Sequence, residues 1–90
     1  MAIIAIVACC DTKYHEITFV ANYILKAGHT PVIIDISTGP HIPIQADITR
    51  EKVLAEGGYD WEHVSTLSKA DAIASMSSSI TVTLSRLQKT

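Results

Sequence analysis

The sequence predicts an α/β unit, a β–α–β motif with further helices that forms an incomplete part of a Rossmann-like, three-layer domain with a parallel sheet. Three observations carry this reading. Ile3-Ile4-Ala5-Ile6-Val7 is a largely β-branched run that leads into the polar cluster Asp11-Thr12-Lys13. A helical period follows it, and a second apolar run, Val32-Ile33-Ile34, leads into Asp35-Ile36-Ser37-Thr38. In open α/β sheets ligands bind beyond the carboxyl ends of the strands, where the next helices begin and aim their unpaired N–H groups. The two polar clusters therefore mark the candidate site.

The elements follow in order. After the first strand, Ile17, Val20, Ala21, Ile24 and Leu25 recur at helical spacing, and Gly28 stands where a left-handed cap would close a helix over Lys13 to Ala27. Thr30-Pro31 admits the second strand, Val32 to Ile36, whose unbroken apolar run predicts helices on both faces. A strand, a helix and a strand in this order make the two strands parallel.

Ser37 to Ala46 contains Gly39, Pro40 and Pro43 and reads as a loop over the strand ends, since proline lacks an N–H. Thr49 is placed to cap a short helix with Glu51 in its first turn, ending at Gly57-Gly58. Asp60 offers a further cap, and Trp61 in the turn after it is expected to anchor against the sheet. In the last helix Ala70, Ile73, Ala74, Ile80, Leu84 and Leu87 are read as the packed face, with the serines and threonines on the remainder. Serine is a mediocre helix former, so this helix needs packing to persist. Two strands for about four helical segments leave both sheet edges open, which predicts either part of a larger domain or an oligomer.

Composition narrows the function classes. At 48% hydrophobic, the 90 residues describe one compact unit, but one short enough that its core is expected to need a partner. The net charge of -2 comes with no basic stripe and no aromatic ladder, so nucleic acid is set aside as a partner. The apolar start from Ala2 to Ala8 is too short for a membrane span and has no basic leader, so the expected location is cytoplasmic, with no membrane partner. Cys9 and Cys10 are adjacent, which is no disulfide framework and fits a reducing compartment.

Asp11, Thr12 and Lys13 bring a carboxylate, a hydroxyl and an ammonium to a helix start, a set that can hold an anionic ligand or simply cap the helix. Asp35 can accept from ribose hydroxyls or bond the loop that follows it. The first turn has neither a dinucleotide glycine fingerprint nor a Walker A sequence. Asp47, Arg50 and Glu51 are accounted for by capping and a local surface ion pair. Strand alternation points one cysteine inward and the other outward, and His15, His29, His41 and His63 are too scattered for a zinc set.

Asp11-Thr12-Lys13 followed by Glu16, then Asp35-Ile36-Ser37-Thr38, then Asp47-Ile48-Thr49-Arg50-Glu51-Lys52-Val53, resembles the N-terminal part of the tomato mosaic virus resistance protein-like ATP-binding domain, a family that also includes uncharacterised bacterial proteins. The similarity runs to about Met76. It implies that residues 1–90 are the N-terminal half of an α/β nucleotide-binding domain. It further implies an ATP site, with or without Mg2+, lined by Asp11, Thr12, Lys13 and Thr38, and joined by Lys69 where that family generally has arginine. Lysine supplies the charge without the planar fork of a guanidinium. In that family the chain continues into a strand and a glycine-rich phosphate loop, whereas this sequence stops at Thr90.

The leading expectation is a nucleotide-binding module of unassigned activity, with a second copy or the remainder of a longer chain as partner. The alternative is an assembly unit without ligand. A weaker one is a thiol-based redox role for Cys9 or Cys10.

Overall fold

The computed structural model describes residues 2–39 and 44–88. Strand β1 (Ile3–Ala8) is followed by helix α1 (Tyr14–Lys26) and strand β2 (Thr30–Asp35), and then by α2 (Arg50–Glu56), α3 (Trp61–Val64) and α4 (Lys69–Gln88). β1 and β2 pair in parallel, in a register that runs from Ile3 opposite Thr30 to Ala8 opposite Asp35. The β–α–β unit and its parallel sheet thus match the fold class read from the sequence. The loop prolines, Pro40 and Pro43, and His41 lie outside the described residues.

Gly28 closes α1 as its position predicts. Its φ of +85° is a conformation that favours glycine, and the N–H of His29 reaches back to the Ile24 carbonyl at 3.1 Å. Thr49 caps α2 by accepting from the Lys52 N–H at 3.3 Å. Asp60 stands at the N-cap of α3 without a side-chain bond, so its capping role is not realised. Tertiary contact holds that short turn instead, through fully buried Val64 and partly buried Trp61.

Alternation along β2 splits the core into two layers. Ile33 joins Ile6, Ala8, Cys10 and Ile17 on the α1 side. Ile34 joins Val53, Leu54, Val64, Ala72 and Met76 on the other. Helices therefore cover both faces of β2, as its unbroken apolar run predicts.

The far edge of β2 is not open. Ile48 bridges to Ile34 in parallel, with the Ile48 N–H donating to Ile33 O and the Asp35 N–H donating to Ile48 O, both at 3.0 Å. The Asp47 carboxylate accepts the Ile33 N–H at 2.7 Å. Asp47 is thus a sheet-edge acceptor and, among the described residues, forms no ion pair; its place beside β2 offers it the Ile33 N–H, which the isolated Ile34–Ile48 bridge leaves unmatched. On the other side β1 forms the edge of the sheet.

The packed face of α4 also differs from the expected one. Ala72, Ser75, Met76, Ser79 and Thr83 are buried, while Ile73 and Leu84 are exposed; Ile80 and Leu87 are partly buried. Small side chains let α2 come close, and the serines satisfy themselves within the helix. Ser75 donates to Asp71 O at 3.0 Å, and Ser79 donates to Ser75 O at 2.8 Å. A hydroxyl bonded four residues back can be buried without any other partner. Among the described residues no helix is long and apolar enough to cross a membrane.

Candidate functional site

Beyond the carboxyl ends of β1 and β2 the chain forms an open cavity of about 320 Å³. Three separate segments line it. Asp11 and Thr12 come from the β1–α1 turn, Thr38 from the loop after β2, and Lys69 from the first turn of α4, with Cys9, Ile36, Ile73, Met76 and Ser77 around them. A neighbouring hollow of about 330 Å³ shares Asp11, Thr38 and Lys69 and extends toward Gly39 and Leu67. Four of the five residues expected at the site are thereby brought together. Lys13 is the fifth; it is the exposed N-cap residue of α1 and lines neither hollow.

The rim is built by carboxylates that bind backbone N–H groups. Asp35, 2% exposed, accepts from the Cys10 N–H at 3.3 Å and from the Ser37 N–H at 2.9 Å, so one carboxylate fixes the turns that follow both strands. Asp35 is therefore structural, bonding the loop after it. Asp11 accepts from the Gly39 N–H at 3.2 Å and does not cap α1. A Cβ at Gly39 would collide with that carboxylate, so a larger residue there would displace the Asp11 side chain from this bond. No side chain closes the first turn of α1, whereas Ser68 accepts from the Asp71 N–H at 3.2 Å at the start of α4.

Arg50 is the residue that sequence reasoning missed. Its neighbour Glu51 pointed to an exposed ion pair, yet the guanidinium is buried and the Nε–Oε2 separation is 4.0 Å, at the outer limit of an ion pair. Arg50 Nη1 instead donates to the Gly39 carbonyl and, at 3.4 Å, to Ser37 Oγ. The guanidinium carbon lies 3.7 Å from the Trp61 ring centre, so the indole packs on this arginine as well as on the core containing Ile34. Nothing in the spacing of Arg50 and Trp61 marks that pairing.

Cys9 is exposed at the cavity and Cys10 is buried, the split expected from the sequence, but both lie past the end of β1, so the turn and not strand alternation sets it. Burial, and then the Asp35 carboxylate, push the Cys10 thiol up to about 12. Burial, followed by Asp11 and Asp35, also raises Cys9. Both move away from the reactive thiolate.

Chemically, the cavity combines an ammonium, three hydroxyls and a carboxylate with the apolar side chains of Ile36, Ile73 and Met76. Such a set suits a ligand with an anionic end, hydroxyl groups and an apolar face. Among the described residues no cluster of three His, Cys, Asp or Glu side chains is placed to hold a metal ion.

Comparison with protein families matches residues 2–90 to the N-terminal domain of an uncharacterised protein family, UPF0261. That match corrects the resemblance to the tomato mosaic virus resistance protein-like ATP-binding domain. Part of the motif signal behind the resemblance has a structural origin here, since Asp35 and Asp47 bind backbone N–H groups of the sheet and its rim. No curated protein and no solved structure matches the chain.

Proposed function

We propose that this chain, which belongs to the UPF0261 family as its N-terminal domain, is a nucleotide-binding module that receives ATP, with or without Mg2+, at the carboxyl rim of its sheet. The observation that carries the reading is the convergence of Asp11, Thr12, Thr38 and Lys69 on one cavity from three separate chain segments. Lys69 and the Thr12 hydroxyl face the phosphates, beside the uncapped first turn of α1. Asp11 faces sugar hydroxyls, since a carboxylate close to phosphate is repelled. Ile36, Ile73 and Met76 supply the surface for the base. No bond-breaking step is assigned. The two free cysteines support a cytoplasmic location.

Calorimetric titration of MgATP into the protein tests this reading. Binding that Lys69→Ala weakens about tenfold, the loss of roughly one charge-assisted contact, is the expected result. Absence of binding, or equal binding by the variant, rejects it.

A second reading, an assembly unit, is favoured by one specific observation. Ile3 is 74% exposed at the sheet edge, Ile73 and Leu84 are exposed on α4, and a hollow of about 440 Å³ lies between Ile3, Ala5, Val32 and Leu87. Under it a second copy or a further stretch of chain covers this surface. Light scattering across a concentration series reads it directly, and a strict monomer at high concentration counts against self-association.

A further inference from the structure

We propose that Arg50 is the positioning residue of the rim, a buried clamp that fixes the turn at residues 37–39 and so presents Thr38 to the cavity; the proposal rests on the reading of that cavity as a ligand site. Gly39 is held at both of its backbone polar groups. Its N–H donates to Asp11 at 3.2 Å, and its carbonyl accepts from Arg50 Nη1. Ser37, on the other side of Thr38, is held by Asp35 at 2.9 Å and by Arg50 at 3.4 Å. Thr38 therefore sits between two anchored neighbours, and Arg50 touches both.

The chemistry of the residue supports a positioning role over a purely stabilising one. Arg50 is 5% exposed, and among the described residues its Nε has no hydrogen-bond partner; the groups it bonds or packs on are a carbonyl, a hydroxyl and an indole face, all neutral, while the half-exposed Glu51 carboxylate stands 4.0 Å from Nε. Burying a cation whose ion-pair partner is half-exposed and at the outer limit of contact is expensive, and an apolar side chain of similar volume would fill the space at lower cost. What only a guanidinium does here is sit over the Trp61 ring, 3.7 Å from its centre, while its Nη1 reaches across to the turn. Because Arg50 opens α2, it ties the turn to the core that α2 shares with α4. Trp61 is the chain's only tryptophan, so its emission reports on this clamp.

The test is amide hydrogen exchange on the ligand-free protein, followed by MgATP titration, for the native sequence, Arg50→Lys and Trp61→Leu. Arg50→Lys keeps the charge and loses the planar fork, and Trp61→Leu removes the platform without touching the turn. Both are expected to speed exchange at Gly39, by about tenfold for Arg50→Lys, while β1 and α1 amides stay unchanged. Arg50→Lys is also expected to shift the Trp61 emission and to weaken MgATP about tenfold, with Trp61→Leu intermediate. Native-like exchange at Gly39 in both variants overturns the proposal, as does faster exchange with undiminished MgATP binding. If the native protein binds no MgATP, the nucleotide reading fails, and with it the link from the clamp to ligand; faster exchange at Gly39 alone then identifies Arg50 as a structural clamp and overturns its positioning role.

Discussion

Gly57 lies so close to Ser79 that a Cβ on the glycine would stand 2.8 Å from the Ser79 Cα and 2.7 Å from its Cβ. This is the contact through which α2 and α4 approach. The φ of Gly57 is -85°, which alanine adopts freely, so backbone propensity alone would make Gly57→Ala stabilising by up to about 1 kcal/mol. Overpacking against a backbone atom costs about 1–3 kcal/mol and decides the sign. Gly57→Ala is expected to lower the urea midpoint, with partial recovery when Ser79→Gly is added. A midpoint at or above the native value would show that the two helices separate easily.

Asp35 carries the joint between the two strand ends. Asp35→Ala leaves the Cys10 and Ser37 N–H groups without their acceptor, at a cost of roughly 3 kcal/mol for charge-assisted bonds in a buried setting. Asp35→Asn keeps an acceptor oxygen and is expected to cost less. Denaturant unfolding of both variants checks the order.

The two cysteines are expected to respond differently to a thiol reagent in the folded protein. Cys9 is exposed and reacts slowly at neutral pH, accelerating only on the alkaline side, since its thiol lies above the ordinary value. Cys10, held near 12 and fully buried, reacts only on unfolding. Rapid labelling of either residue at neutral pH would revive a redox role.

Glu56 ties α2 to α4 by accepting two bonds from Arg86, from Nε at 2.5 Å and Nη2 at 3.1 Å. The arginine's hydrogen bond holds the Glu56 carboxyl below its usual value. A depressed folded-state value stabilises the fold above the unfolded carboxyl's pKa of about 4.3, and that contribution is lost as pH falls through the folded value. Glu56→Gln should therefore lower Tm at neutral pH, and the gap from the native protein should close in acid. A gap that is independent of pH would assign the effect to packing.

Much of the fold was legible because strands and caps announce themselves locally. The β-branched runs, Gly28 after the first helical period and Thr49 before the second each act through their own neighbours in sequence, and each stands close to where it was read, although β2 is Thr30–Asp35, with Pro31 inside it, where Val32 to Ile36 was expected. The packed face of α4 was not legible. Hydrophobic periodicity pointed to Ile73 and Leu84, but close approach to Gly57 selects small residues, and serine hides its hydroxyl inside the helix. For the candidate site, the strand-end positions identified Asp11, Thr12 and Thr38, and Lys69 came from a resemblance to a different family. Arg50 stayed hidden because its partners, Ser37, Gly39 and Trp61, lie 11 to 13 positions away in the sequence and meet it only after folding. Lys13 is exposed at the start of α1 and lines neither hollow, and sequence position alone does not tell on which side of a helix start a side chain stands.

The location of ligand binding is tested most directly by amide chemical-shift mapping of the isotopically labelled chain during MgATP titration. The expected result is saturable shifts confined to Thr12, Thr38, Gly39, Lys69 and Ser77, around the cavity at the carboxyl ends of β1 and β2. Shifts centred elsewhere, as on the exposed aromatic face of α1 at Phe19 and Tyr23, or no shifts at all, would contradict it.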